Sequence, residues 1–107
     1  PMEHENCPCM ETCPLNRAMA LIGGKWKMQI LCSLYNNGPT RYNQLKKALD
    51  GVSNTVLANA LRELEGDGLV HRQEYLEVPV RVEYAITEPC RQLIPILDAL
   101  GDWSMAL

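Results

Sequence analysis

Five cysteines and one polar helical face carry most of the chemistry that this chain can offer. Three of the cysteines, Cys7, Cys9 and Cys13, fall in the stretch CPCMETCP. Thiols this close can act as a redox set, since a thiolate attacked by an oxidant or electrophile is resolved by a neighbouring thiol. With His4 they also make a four-ligand metal set, but the paired C-x2-C knuckles of familiar zinc sites are absent, and thiol chemistry leads. The polar face lies in SNTVLANALR. A 3.6-residue repeat turns Val56, Leu57, Ala60, Leu61 and Leu64 inward and leaves Asn54, Thr55, Ala58, Asn59 and Arg62 outward. An ordinary solvated face would carry Glu and Lys, which favour helices; short Asn and Thr do not, so this face reads as a contact surface.

The elements that must position these residues follow from punctuation and periodicity. Pro14 opens a first helix, LNRAMALI, that Gly23 and Gly24 end. In KWKMQILCSLYNN, Trp26, Ile30 and Leu34 line up with Met28, Leu31 and Tyr35 beside them, leaving Lys27, Gln29 and Ser33 for water. Cys32 falls in this most buried helix and reads as inert. After Asn37-Gly38-Pro39, Thr40 is a candidate N-cap for a third helix with Tyr42, Leu45 and Leu49 inward, ending at Asp50-Gly51. Ser53 caps the polar-faced helix. LVHRQEY and RVEYAI alternate as strands joined by Leu76–Val80, and Thr87 caps a closing helical stretch that Pro95 should kink or split. The fold class expected is mainly α with a small β-hairpin, a winged helix-turn-helix.

Composition is compatible with that order. The 107 residues suffice for one domain, and 47% hydrophobic with 21% charged residues is the balance of an ordinary globular protein. No apolar run is long enough to span a membrane, and the acidic, Cys-containing start lacks the pattern of a secretory leader, so a cytoplasmic location is expected. The net charge of −3 argues against nucleic acid, yet from Pro14 to Lys47 there are six basic residues and no Asp or Glu, so the positive field is local.

The motifs IGGKW (22–26), GPTRYNQL (38–45), GVSNTVLANALRELEGDGLVHR (51–72) and YLEVPVRVEYAIT (75–87), with Cys13-Pro14 and the closing LIPILDALGDW, resemble those of HxlR-type transcriptional regulators. The resemblance runs from Cys13 to the end. It divides the chain into an N-terminal Cys-containing extension, 1–12, and a winged helix-turn-helix domain, 13–107. It implies a homodimer joined through the first and last helices and bound to double-stranded DNA at a pseudo-palindromic operator. It also implies that Cys13 senses oxidants or electrophiles such as quinones and aldehydes. Cys90 stands where the family usually has Gly.

The residues support this independently. Met19, Leu21, Ile22, Leu93, Leu97, Leu100 and Trp103 offer more apolar face than one small core easily buries. Asn reads adenine, Arg reads guanine and Thr or Ala touches the thymine methyl, so Asn54, Thr55, Ala58, Asn59 and Arg62 are the candidates for base readout. Arg41, Lys46, Lys47, Arg72 and Arg81 are the candidates for phosphate contact; for Arg81 an ion pair within the hairpin, with Glu74 or Glu83, is an equal alternative. Lys25 and Lys27 read as solvated. Cys13 at a helix N-terminus favours a thiolate, opposed by nearby Glu11, and Cys7 and Cys9 are its candidate resolving partners. A metal-responsive regulator and a winged helix used for protein contacts are the alternatives. Catalysis is not expected: His4 and His71 are isolated, and no C-x-x-C pair, phosphate loop or cofactor fingerprint occurs, so no cofactor is expected.

Overall fold

The computed structural model describes residues 13–107. The extension 1–12, with His4, Cys7 and Cys9, lies outside the described residues. The chain order is α1 (Pro14–Ile22), α2 (Lys25–Asn37), β1 (Thr40–Arg41), α3 (Tyr42–Ala48), α4 (Asn54–Gly66), β2 (Val70–Tyr75), β3 (Arg81–Ile86), α5 (Glu88–Arg91) and α6 (Ile94–Met105).

The punctuation read from the sequence falls where the backbone needs it. Gly23 lets the chain leave α1 tightly, since a Cβ there would sit 2.3 Å from the Met19 carbonyl oxygen, and Gly24 takes φ +96° to start α2. The Ser53 hydroxyl accepts a hydrogen bond from the Val56 amide at 3.1 Å, satisfying one of the free donors at the start of α4. The Thr87 hydroxyl accepts from the Cys90 amide and donates to the Gly68 carbonyl at 2.7 Å, so one residue caps α5 and ties it to the base of the wing. Pro95 lies in the first turn of α6 and the closing helix is split, as its missing N–H requires.

One core holds these elements together. Ile30, Leu31 and Leu34 of α2 meet Leu45 and Leu49, Leu57, Ala60, Leu61 and Leu64 of α4, Val70, Ile86, Cys90 and Ile94. Each fully buried aliphatic side chain contributes about 1.5–3 kcal/mol.

Several expectations are corrected. The sheet has three strands in the order β1-β3-β2, because Thr40 and Arg41 pair with Tyr84 and Glu83 beyond the expected hairpin. Thr40 is thus a strand residue whose hydroxyl donates to the Gly38 carbonyl, and Arg41 is the N-cap of α3. Val56 is 42% exposed and Tyr35 46% exposed, because the buried arcs of α4 and α2 are narrower than their apolar stripes. Cys32 is likewise at the surface. The surplus apolar face expected on the first and last helices is, by contrast, present: Leu100 and Trp103 of α6 stay outside the core, as do Leu15 and Met19 of α1, which buries no residue at all.

Candidate nucleic-acid interface

The helix-turn-helix consists of α3, the turn through Leu49–Ser53 and α4. The buried stripe Leu57, Ala60, Leu61 and Leu64 anchors α4, and that choice fixes which residues face out. Asn54, Thr55, Asn59 and Arg62 are all exposed, and Ala58 is half-buried. The structure brings all five base-readout candidates onto one helix surface. Arg62 Nη1 donates to Asn59 Oδ1 at 2.8 Å, so these two hold one another before any ligand arrives. Glu65 continues the same face, and the groove between α4 and the wing, about 220 Å³, is lined by Tyr42, Ala58, Leu61, Arg62, Glu65, Arg72 and Tyr84.

The cations divide. Lys46 and Lys47 occupy the last turn of α3, where the helix dipole favours positive charge, and together with Asn43 they border a surface hollow. Arg41 leads α3, its amide donating to Gln44 Oε1 at 3.2 Å. Arg72 is exposed on β2, 4.0 Å from Glu74. Arg81 is spoken for inside the hairpin: it pairs with Glu77 at 2.8 Å and with Glu83, and its guanidinium stacks 3.9 Å from the Tyr75 ring centre. Its pKa is raised, first by the Glu77 hydrogen bond, and the same contact lowers the Glu77 carboxyl. The ion-pair alternative thus describes Arg81 in this structure, with Glu77 and Glu83 as partners.

Two contacts behind this surface were not legible in the sequence. Tyr42, expected only to point inward, reaches Asn54 with its hydroxyl. Lys27, expected to be solvated, pairs with Glu63 of α4 at 2.7 Å; the hydrogen bond and charge of Lys27 hold the Glu63 carboxyl below the usual carboxylate range. Lys25 stacks on Trp26, 4.7 Å from its ring centre.

Of the sensing candidates, Cys13 is described. It is the N-cap of α1, buried at 6% exposure, and its carbonyl accepts the Asn16 amide at 2.9 Å. Among the described residues no group of three or more His, Cys, Asp or Glu side chains is placed to hold a metal ion. Among the same residues no helix is long and apolar enough to cross a membrane.

A helix-turn-helix whose second helix exposes a polar, Asn- and Arg-bearing face beside a β-wing defines the class: a winged helix-turn-helix DNA-binding protein. The chain belongs to the HxlR-like helix-turn-helix family, whose pattern matches residues 21–107. It is 42% identical over 92 residues to the HTH-type transcriptional regulator BH0655 of Halalkalibacterium halodurans, covering 86% of this chain and 81% of that one. Similarity to YdzF of Bacillus subtilis, another HTH-type transcriptional regulator, is 41% over 93 residues, covering 87% and 85%. Among solved structures, the redox regulator HypR in its oxidised form superimposes with a TM-score of 0.81 at 37% identity, covering 89% of this chain and 97% of that one. The reduced form of the transcriptional regulator YodB from B. subtilis gives 0.79 at 32%, covering 86% and 90%. The protein is a transcriptional regulator of the helix-turn-helix type, as its family is.

Proposed function

We propose that this regulator binds a pseudo-palindromic operator as a homodimer, with α4 of each protomer in the major groove, and that thiol chemistry at Cys13 alters the binding. The observation that carries the reading is the single exposed face formed by Asn54, Thr55, Asn59 and Arg62. Those side chains present amide, hydroxyl and guanidinium groups at a spacing suited to successive base pairs. Arg72, which shares a groove with α4, and Arg41, Lys46 and Lys47 take phosphates, while Arg81 serves the hairpin. Two half-sites give about 8 to 12 phosphate contacts per dimer, so affinity falls steeply as salt rises. The exposed faces of α1 and α6 join the protomers, which sets the spacing between half-sites.

Cys13 supports the regulatory half of the reading. It caps α1, one of the two dimer helices, so a modified thiol there strains the joint that spaces the two α4 helices. Oxidation by a peroxide would convert the thiol to a sulfenic acid with release of water or alcohol; condensation with the thiol of Cys7 or Cys9 then forms a disulfide and releases water. HypR is a redox regulator, and YodB has been captured both reduced and diamide-treated. Their likeness to this chain favours thiol sensing over metal sensing.

The test is to recover the genomic DNA that the protein binds and to repeat the binding with peroxide, quinone, aldehyde or chelator, using wild type and Cys13→Ser. Salt-sensitive binding that peroxide or quinone abolishes in wild type alone is expected. Binding that ignores salt would defeat the DNA-reading half. Binding lost only to the chelator would replace the thiol switch with a metal.

A further inference from the structure

Lys27 and Glu63 occupy the wrong ends of their own helices. Lys27 lies in the first turn of α2, at the positive end of its helix dipole, and Glu63 lies in the last turn of α4, at the negative end. Each placement is locally unfavourable. Their contact offsets both placements, since the ammonium and the carboxylate meet at 2.7 Å. Such a pair is specified by tertiary structure rather than by helix formation.

The buried stripe of Leu57, Ala60, Leu61 and Leu64 secures one side of α4, and Glu63 lies at the edge of that stripe, beside the surface-exposed Val56 and Asn59. The pair adds a directional contact at that edge. Lys27 is also well covered, with only 13% of its side chain exposed, so its stem is ordered before the bond forms. Arg62 and Asn59 stand beside Glu63 on the helix, so a small rotation of α4 displaces both.

We propose that Lys27 is a positioning residue for sequence recognition: through Glu63 it sets the rotation of α4 and so aims Asn59 and Arg62 at the bases. The inference rests on the reading of α4 as the base-contacting helix.

The experiment first selects, with the wild-type protein, a preferred duplex from a randomised pool, and then compares its affinity with that of an unselected duplex. If wild type selects nothing, the reading of α4 itself fails. If it does select, Lys27→Gln and Glu63→Gln are each expected to lower the ratio of the two affinities about tenfold, with Lys27→Arg retaining most of it. The charge-swapped double variant, Lys27→Glu with Glu63→Lys, should recover part of the loss. Glu63→Gln gives the decisive sign, because removing an anion near DNA by itself strengthens binding to every duplex alike. Equal strengthening of both duplexes by Glu63→Gln, or equal weakening of both by Lys27→Gln with a smaller salt slope, overturns the proposal. So does an unchanged ratio in both variants. Thermal melts of each variant keep unfolding separate from mispositioning.

Discussion

The hydroxyl of Tyr42 lies 3.1 Å from both the backbone carbonyl oxygen and Oδ1 of Asn54, joining the start of α3 to the first residue of α4 across the turn. The two helices of the motif are thus bonded at the point where the second begins, and Asn54 is held by a group twelve residues earlier. Tyr42→Phe keeps the ring and deletes the bond. Stability should fall by about 0.5–1.5 kcal/mol, the usual net worth of such a bond. If Asn54 contacts a base as proposed, preference at that position should relax several-fold. Thermal melts and binding to single-base operator variants measure the two effects; no change in either would remove Tyr42 from the site.

Asn59 and Lys46 test the division between reading and holding. Asn59→Ala removes an amide suited to adenine and also deprives Arg62 of its 2.8 Å acceptor. It should cost about 1–3 kcal/mol of discrimination between correct and incorrect base pairs. Lys46→Ala should instead weaken binding to all sequences alike and reduce the salt slope by about one per half-site. Titrations against operator and random DNA at several salt concentrations separate the two. Equal losses on both duplexes for both variants would count against the assignment of α4.

Much of this arrangement was legible because it is local. The Ser53 cap, the Leu57-Leu61-Leu64 stripe, the Thr87 cap and the break at Pro95 each depend on residues within a turn of one another. The strand at Thr40–Arg41 was not legible, since two residues carry no alternation and their pairing depends on Tyr84 and Glu83, far along the chain. Periodicity also overstated burial at Tyr35, Cys32 and Val56: a stripe gives the direction a helix faces, whereas the width of the buried arc depends on its neighbours. Lys27 with Glu63 and Tyr42 with Asn54 are tertiary contacts, and each of those residues has an ordinary local explanation by itself.

The exposed stripe of α6 carries the expectation for assembly. Ile96, Leu100 and Trp103 are 63%, 52% and 62% exposed, spaced to form one face with the half-buried Leu93 and Leu97. Leu100→Asp should leave the fold intact, because that side chain contributes little to the core of one protomer. It should convert a dimer to a monomer and lower operator affinity at least about a hundredfold, since two linked half-sites bind far more tightly than one. Light scattering gives the mass and circular dichroism checks the fold. A Leu100→Asp protein that remains dimeric would place the interface elsewhere.

Cys90 provides a test of the core through pH. Its side chain is fully buried at α5, and burial pushes the thiol pKa above its ordinary value of 9.0, with nearby Arg91 opposing and Cys32 adding to the rise. Cys32 is raised as well, by partial burial and then by Asp98. At pH values below about 9 both folded and unfolded chains hold the Cys90 proton, and this group adds no pH dependence. Above that, the unfolded chain loses its proton first, so the stability associated with the neutral thiol declines until the native thiol also titrates. Cys90→Ala should cost about 1 kcal/mol at neutral pH through lost packing. The gap between wild type and Cys90→Ala should then narrow above about pH 9, because only wild type carries the thiol that favours unfolding there. Urea melts across that range measure the gap, and the difference between the two proteins cancels the titration of Lys and Tyr common to both. A gap that stays constant with pH would show that the native thiol titrates no later than an unfolded one, and the buried position of Cys90 against α2 would have to be abandoned.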